Sequence, residues 1–151
     1  MRGTSVPQVV AALKTLWTPL VRPTQCYVGP PAGDIPDSYL SICYGGDDRP
    51  GIVGFGKPFE MGNYTDARAE EFSVWCTAST ATGDQSGQSR MDATNVIFGL
   101  AVDAIQADRH LGGVVPAPGF ADVDGYEWTV EEDGSIATIF FQIKVLQERF
   151  V

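Results

Sequence analysis

Residues suited to acid–base chemistry are scarce in this chain of 151 residues. His110 is the only histidine, and a general base also needs an orienting partner and a proton within hydrogen-bond reach. Its sequence neighbours supply neither, although a Cys–His pair formed in space stays open. His110 stands just before Gly112-Gly113, where its partial positive charge would suit the C-terminus of a helix. We therefore expect no catalytic role for it.

The cysteines do not follow a metal-binding or nucleophilic pattern. Cys26, Cys43 and Cys76 are far apart, and the sequence has no CxxC or HxxxH pair, which are the usual spacings of zinc ligands. No GxSxG nucleophile elbow occurs either. We predict three reduced thiols that behave as small apolar side chains.

Two short motifs resemble ligand-binding loops only in part. The segment 54–58, GFGKP, lacks the glycine spacing of a phosphate loop, and its proline discourages the helix that should follow. The segment 122–125, DVDG, lacks the third ligand and the closing Glu of a calcium loop. We interpret it as a turn entering a strand. The sequence predicts no cofactor, no metal and no enzymatic activity.

The charge balance excludes tight binding to polyanions. The net charge is −9 and the pI is about 4.4, so phosphate backbones and anionic lipid are repelled. Six acids fall within twelve residues without a basic residue among them: Asp122, Asp124, Glu127, Glu131, Glu132 and Asp133. Such a surface could let DNA pass without retaining it.

The first elements are predicted as one helix and two strands. Ser5-Val6-Pro7-Gln8 is typical of a helix start, with Ser5 as the cap. An apolar stripe at helical spacing follows: Val6, Val9, Val10, Leu13, Leu16 and Trp17. Gln25–Gly29 and Ser38–Tyr44 are predicted strands.

The segment Gly45–Asp66 is dense in glycine and proline and has no sustained period. Loops of this length are uncommon in compact domains and tend to be functional or ordered by a partner. We interpret it as such a loop. The alternative is a surface loop that contains a short hairpin.

Glu70–Thr80 alternates and predicts a strand covered on both faces. A second helix is predicted from about Gln88 to Arg109, and the glycines after His110 would stop the chain from continuing as a helix. Its apolar face would consist of Met91, Thr94, Phe98, Ala101, Val102 and Ile105.

The last third predicts a long β-hairpin. Tyr126, Trp128 and Val130 alternate with polar residues, and Asp133-Gly134 signals a tight turn. The return strand, from Ile136 towards Phe150, has one apolar face: Ala137, Ile139, Phe141, Ile143 and Val145. At about 3.3 Å per residue this strand is longer than a compact domain is wide. Either it bends or the hairpin projects, and a projecting hairpin has unpaired edges that suit a subunit contact.

Together these elements predict a single α+β domain spanning residues 1–151, with two helices on one face of a mainly antiparallel sheet. No apolar run approaches the roughly 20 residues needed to cross a bilayer, and the first helix does not have the form of a signal peptide. We expect a soluble protein made in the cytoplasm.

Three segments carry a resemblance to a known family. EFSVWCTAST (71–80), SRMDATNVIFGLAVDAIQAD (89–108) and EWTVEEDGSIATIFFQIKV (127–145), in this order of elements, resemble tail terminator proteins of long-tailed bacteriophages. Head–tail connector and neck proteins look similar. The resemblance spans nearly the whole chain, but it assigns no counterpart to the Gly45–Asp66 segment.

The resemblance implies a hexameric ring without cofactor, which caps the tail tube and joins it to the head. Its partners would be further copies of the chain, the major tail protein and the head–tail connector, with DNA only in transit and no membrane contact. The protein would be assembled in the host cytoplasm and reside at the tail–head junction of the virion. The six acids listed above are then candidates for the channel wall. Candidate subunit or partner contacts are Gly54, Phe55, Phe59, Tyr64, Phe141 and Phe150.

Two other functions fit the residues. One is a different head–tail connector or neck protein. The other, from a different class, is a small-molecule-binding or enzymatic α+β domain with its pocket between sheet and helices. Self-association separates the structural class from this last alternative.

Overall fold

A six-stranded sheet organises the computed structural model, which describes residues 4–31, 33, 35–58, 68–81 and 87–149. The elements in chain order are α1 (Val6–Trp17), β1 (Gln25–Val28), β2 (Ser38–Ile42), β3 (Ile52–Pro58), β4 (Arg68–Thr80), α2 (Gly87–Ala107), a 3₁₀ turn (Leu111–Gly113), β5 (Phe120–Val130) and β6 (Ala137–Arg149). The α+β domain with a C-terminal hairpin is as predicted.

The strands lie in the order β1-β2-β4-β6-β5, and β3 pairs with β4 beside β2. All neighbours are antiparallel except β1 and β2, which run parallel. β4 divides one edge between two partners, since β2 pairs with its residues 76–80 and β3 with its residues 68–74. β6 therefore lies in the interior of the sheet, and β5 forms one of its outer edges.

Both helices cover the same face of the sheet. The predicted apolar face of β6 is confirmed, because its residues 137, 139, 141, 143 and 145 are all at most 1% exposed. Phe141 lies between the helices, with ring centroids 6.0 Å from Trp17 of α1 and 5.1 Å from Phe98 of α2. The indole N–H of Trp17 also donates to the carbonyl of Ala101, at 3.2 Å. The core is thus a layer of side chains between one sheet face and two helices.

The buried face of α2 differs from the predicted one. Thr94, Ala101 and Ile105 are buried as expected, whereas Met91, Phe98 and Val102 are only half-buried. Arg90 and Ile97, which were not predicted, are buried. Arg90 can lie on this face because its guanidinium donates to the carbonyl of Gly134 in the hairpin turn. The helix also ends at Ala107, two residues before the predicted end.

The start of α1 is stabilised differently from the prediction. Ser5 stands at the cap position but makes no side-chain capping bond. Instead its backbone N–H and hydroxyl both donate to the carboxylate of Glu70 on β4. A carboxylate from a neighbouring strand thus takes the place of the predicted local cap.

The interpretation of Gly45–Asp66 as one long loop is wrong for residues 52–58, and residues 59–66 lie outside the described residues. Residues 52–58 form β3, which pairs with β4 along its whole length. The alternative, a short hairpin inside the segment, is not what the structure shows either, because the partner of β3 is β4, which begins at Arg68 outside the segment. Gly54 permits the close approach of the two strands, since a Cβ there would lie 2.3 Å from the Cβ of Phe72.

The C-terminal hairpin does not leave the sheet. β4 and β6 each have 13 residues, and every residue of β6 pairs with one of β4. The long strand therefore has a partner of equal length. The predicted tight turn is a wider one: Glu131 N–H donates to Ile136 O, and Gly134 N–H to Glu131 O. The unpaired edge predicted for the hairpin belongs to β5.

Candidate functional site

The outer edge of β5 is the part of the hairpin with which no other described strand pairs. At its start this edge is occupied, because Ala121 N–H donates to Arg109 O at 2.8 Å and Val123 N–H to its neighbour Asp122 at 2.8 Å. A bulge between Val123 and Gly125 then shifts the register. The segment 122–125 is therefore a bulge within a strand, which corrects its interpretation as a turn entering one.

Beyond the bulge, β5 presents large apolar side chains to solvent. Tyr126, Trp128 and Val130 lie opposite Phe141, Ile139 and Ala137 of β6, so they share the face that the helices cover. They remain 63%, 38% and 39% exposed. The ring of Phe98 on α2 lies 5.4 Å from that of Tyr126, between centroids. Three exposed apolar residues at alternate positions, on one face of a strand at the sheet edge, are typical of an interaction surface.

The six acids of 122–133 do not act as one group. Asp122 lies 3.7 Å from Arg109, and Glu127 forms an ion pair with Arg49. Asp133 accepts hydrogen bonds from the side chain and backbone of Ser135, which lower its pKa. Among the described residues, Asp124, Glu131, Glu132 and Asp133 form no salt bridge. These four keep the negative charge at the end of the hairpin and along β5.

Of the predicted contact residues, Phe141 is corrected by the structure. It is 0% exposed and packed between both helices, so no partner can reach it in the folded chain. Alternation along the strand predicted its face correctly but could not tell whether helices or another subunit cover that face. Gly54 lies exposed on β3, and Phe55 stands opposite Glu71 with only its backbone described. Phe59, Tyr64 and Phe150 lie outside the described residues.

The sheet face opposite the helices is partly covered by the segment before β3. The Arg49 guanidinium lies 4.7 Å from the Trp75 ring centroid and 5.0 Å from that of Phe140. It donates to the carbonyl of Gly45 at 3.0 Å and to Glu127 on β5. Sequence reasoning missed Arg49, because nothing in an irregular segment predicts which strand it will fold over.

His110 and the cysteines occupy structural positions. His110 Nδ1 lies 2.9 Å from the carbonyl of Val115. All three cysteines are free thiols, and burial raises the pKa of each, most strongly that of fully buried Cys76. Within the described residues, no three His, Cys, Asp or Glu side chains converge as metal ligands would.

One surface groove of about 550 Å³ lies between α1 and the 3₁₀ turn. It is lined by the small and aliphatic side chains of Ala11, Ala12, Leu16, Leu111 and Val114, together with Gln8, Thr15, Asp108 and Gly112. This groove is not the pocket between sheet and helices that the small-molecule alternative predicts. None of the described helices is long and apolar enough to cross a bilayer.

Comparison with known proteins gives a likeness of fold and no match of sequence. No protein-family model matches the chain, and no curated protein matches it in sequence. Among solved structures, the chain resembles one chain in the virion of a native gene transfer agent particle, with a TM-score of 0.62 and 12% identity. The likeness covers 98% of this chain and 100% of that one. At this identity it shows a shared fold.

Proposed function

We propose that the protein is a structural subunit of a phage-like virion and that it does not act as an enzyme. The observation that carries the proposal is the likeness, over the full length of both chains, to a component of a gene transfer agent virion. The open β5 edge supports it independently, because subunits that assemble need exposed strand or apolar surface whereas a monomeric enzyme does not.

Within this class we propose a tail terminator: a hexameric ring that caps the tail tube and joins it to the head connector at the tail–head junction. The resemblance of segments 71–80, 89–108 and 127–145 supports this finer assignment. The major tail protein and the connector would be its partners. A different connector or neck protein is the nearest alternative within the same class.

The hairpin acids support passage of DNA without retention. Glu131, Glu132 and Asp133 surround the turn and are exposed, and we propose that they face the channel of the ring. The remaining acids, Asp122, Asp124 and Glu127, lie on β5 itself. A net charge of −9 predicts that the isolated protein does not shift duplex DNA in a gel at physiological salt.

The deciding experiment is to delete the gene from the particle-producing strain and to image the products by electron microscopy. A terminator predicts filled heads and separate tails that no longer join. Antibody labelling of wild-type particles should place the protein at the tail–head junction. Labelling at another part of the particle would contradict the terminator assignment and indicate a different virion protein. Intact, fully joined particles without the protein would refute a role in the virion.

The groove on α1 favours a second candidate, a small-molecule-binding domain. Replacing Leu16, which lines the groove, by Trp would fill it. If ligand binding is the function, this variant loses binding while particles are unaffected. If the protein is a virion subunit whose groove is incidental, joined particles form normally and thermal-shift screening of metabolites finds no stabilising compound in the wild type.

A further inference from the structure

The sheet has two outer edges, one formed by β1 and the other by β5, and these edges differ in charge. Within the described chain, no strand lies beyond β5 on one side or beyond β1 on the other. We refer to the residues 124–130 as the β5 edge, and to α1, residues 20–22 and β1 as the β1 edge. Each edge has exposed apolar side chains, and none of the described strands pairs with its outer side.

The β5 edge combines exposed apolar side chains with negative charge. Tyr126, Trp128 and Val130 project on the helix side of the sheet. Asp124 is exposed and forms no salt bridge among the described residues. The second acid of this edge, Glu127, is paired with Arg49. Glu131, Glu132 and Asp133 follow directly in the chain and form no salt bridge among the described residues.

The β1 edge has the opposite charge and exposes apolar side chains on the same side of the sheet. Val28 lies opposite buried Ile42, which places it on the helix side, and it is 49% exposed. Leu20, which follows α1, is 44% exposed. Lys14 and Arg22 are exposed here and form no salt bridge within the described part of the chain. The first 33 residues contain no Asp or Glu at all.

We propose that the β5 edge of one copy docks against the β1 edge of the next copy, in a head-to-tail arrangement. Apolar side chains then meet on the helix side of both sheets, while Lys14 and Arg22 approach the acids of β5. Two-fold pairing of β5 with β5 is disfavoured, because it sets like charges opposite one another. A head-to-tail contact closes into a ring when its rotation permits. The inference deepens the proposed function, because it names the surfaces by which its subunits join.

A charge-swap experiment tests this arrangement. One variant reverses the β1 edge (Lys14→Glu with Arg22→Glu), and the other reverses the β5 edge (Asp124→Lys with Thr129→Lys). All four positions are exposed. The matched control is Asp92→Lys with Asp103→Lys, two exposed positions of α2 outside both edges. Association is measured by analytical ultracentrifugation at low salt and the highest soluble concentration, and circular dichroism checks folding.

We expect the wild type and the control to self-associate, and each edge variant alone to associate at least about tenfold more weakly, because like charges then face each other. Mixing the two edge variants should restore association, since every contact in the mixture can pair opposite charges. Raising the salt should weaken wild-type association.

Three results would overturn the inference: a monomeric wild type under these conditions, edge variants that associate like the wild type, or a mixture that is not restored. Unimpaired association of the β1-edge variant with loss in the β5-edge variant would indicate two-fold β5 pairing instead. The proposed function fails separately, through intact joined particles in the deletion strain. A ring held by other surfaces would overturn the inference and leave the function standing.

Discussion

Glu70 of β4 holds Ser5 at the start of α1 through three contacts. Its carboxylate accepts from the Ser5 backbone N–H, at 3.2 and 3.1 Å to its two oxygens, and from the Ser5 hydroxyl at 2.9 Å. Both residues are buried, at 5% and 2% exposure. A carboxylate at a helix N-terminus meets free N–H groups and the positive end of the helix dipole. The pair therefore fixes the first helix onto the middle of the sheet.

Replacing Glu70 by Ala should lower the free energy of unfolding by about 1.5–3 kcal/mol, because buried hydrogen bonds to a charged acceptor are lost and the Ser5 donors are left unpaired. Urea denaturation measures the change. The matched control is Glu71→Ala, which removes an exposed ion pair with Lys144 and should cost about 0–1 kcal/mol. Equal losses in the two variants would contradict the role of Glu70 as the cap of α1.

The burial of Glu70 can be predicted from the sequence, but its partner cannot. It lies two residues before Phe72, so alternation places a charged residue on the buried face of β4. That conflict signals a buried partner but does not identify it. Ser5 lies 65 positions away, and only the packing of α1 on the sheet brings the two together.

The long periodic elements were predictable because a single pattern decides them. The alternation of β6 fixes its buried face, and the stripe Val9, Leu13 and Trp17 fixes that of α1. β3 was not predictable, since Gly54 and Pro58 weaken its strand pattern and its pairing depends on β4. Only one feature of the candidate site could be predicted from the sequence. The free strand edge of the hairpin was expected, whereas the assignment of that edge to β5 depends on β4 matching β6 in length.

Phe141→Ala should destabilise the monomer by about 3–5 kcal/mol, the usual cost of truncating a core Phe. Its ring contacts those of Trp17 and Phe98, so a cavity would open between both helices and the sheet. Thermal or urea unfolding of the monomer measures the loss. Phe120→Ala, at an edge position that is 39% exposed, is the control and should cost far less. If the Phe141→Ala variant unfolds like the wild type but fails to assemble, Phe141 contacts a neighbouring subunit and is not a core residue.

Arg49→Ala should release the segment that covers the sheet face opposite the helices. The variant loses the contacts with the Trp75 and Phe140 rings, which at partly exposed sites contribute about 0.5–2 kcal/mol. Hydrogen exchange should accelerate at the Tyr44 amide, which donates to Trp75 O at 3.0 Å. Arg49→Lys should be intermediate, because an ammonium keeps the charge without the planar stacking surface. Arg109→Ala, which removes only a longer, exposed ion pair with Asp122, should leave Tyr44 exchange unchanged. Unaltered exchange in Arg49→Ala would show that the segment is held by other contacts.

Burial of Cys76 predicts a loss of stability at alkaline pH. Burial raises the pKa of its thiol well above the ordinary value of 9.0. The charge of a neighbouring Cys43 thiolate would add to this rise, and a hydrogen bond with the Cys43 backbone opposes it. The folded chain therefore holds this proton where the unfolded chain releases it. The Cys76 thiol thus adds no pH dependence to stability well below pH 9.0, and it lowers stability as the pH rises above that value. Cys76→Ala should reduce the slope of this decline, whereas Cys43→Ala should reduce it less, since Cys43 is half-buried. Urea midpoints measured across this pH range give the slopes. In the native wild type, Cys76 should also react with a thiol reagent only as fast as the chain unfolds, and rapid labelling of native Cys76 would contradict its burial.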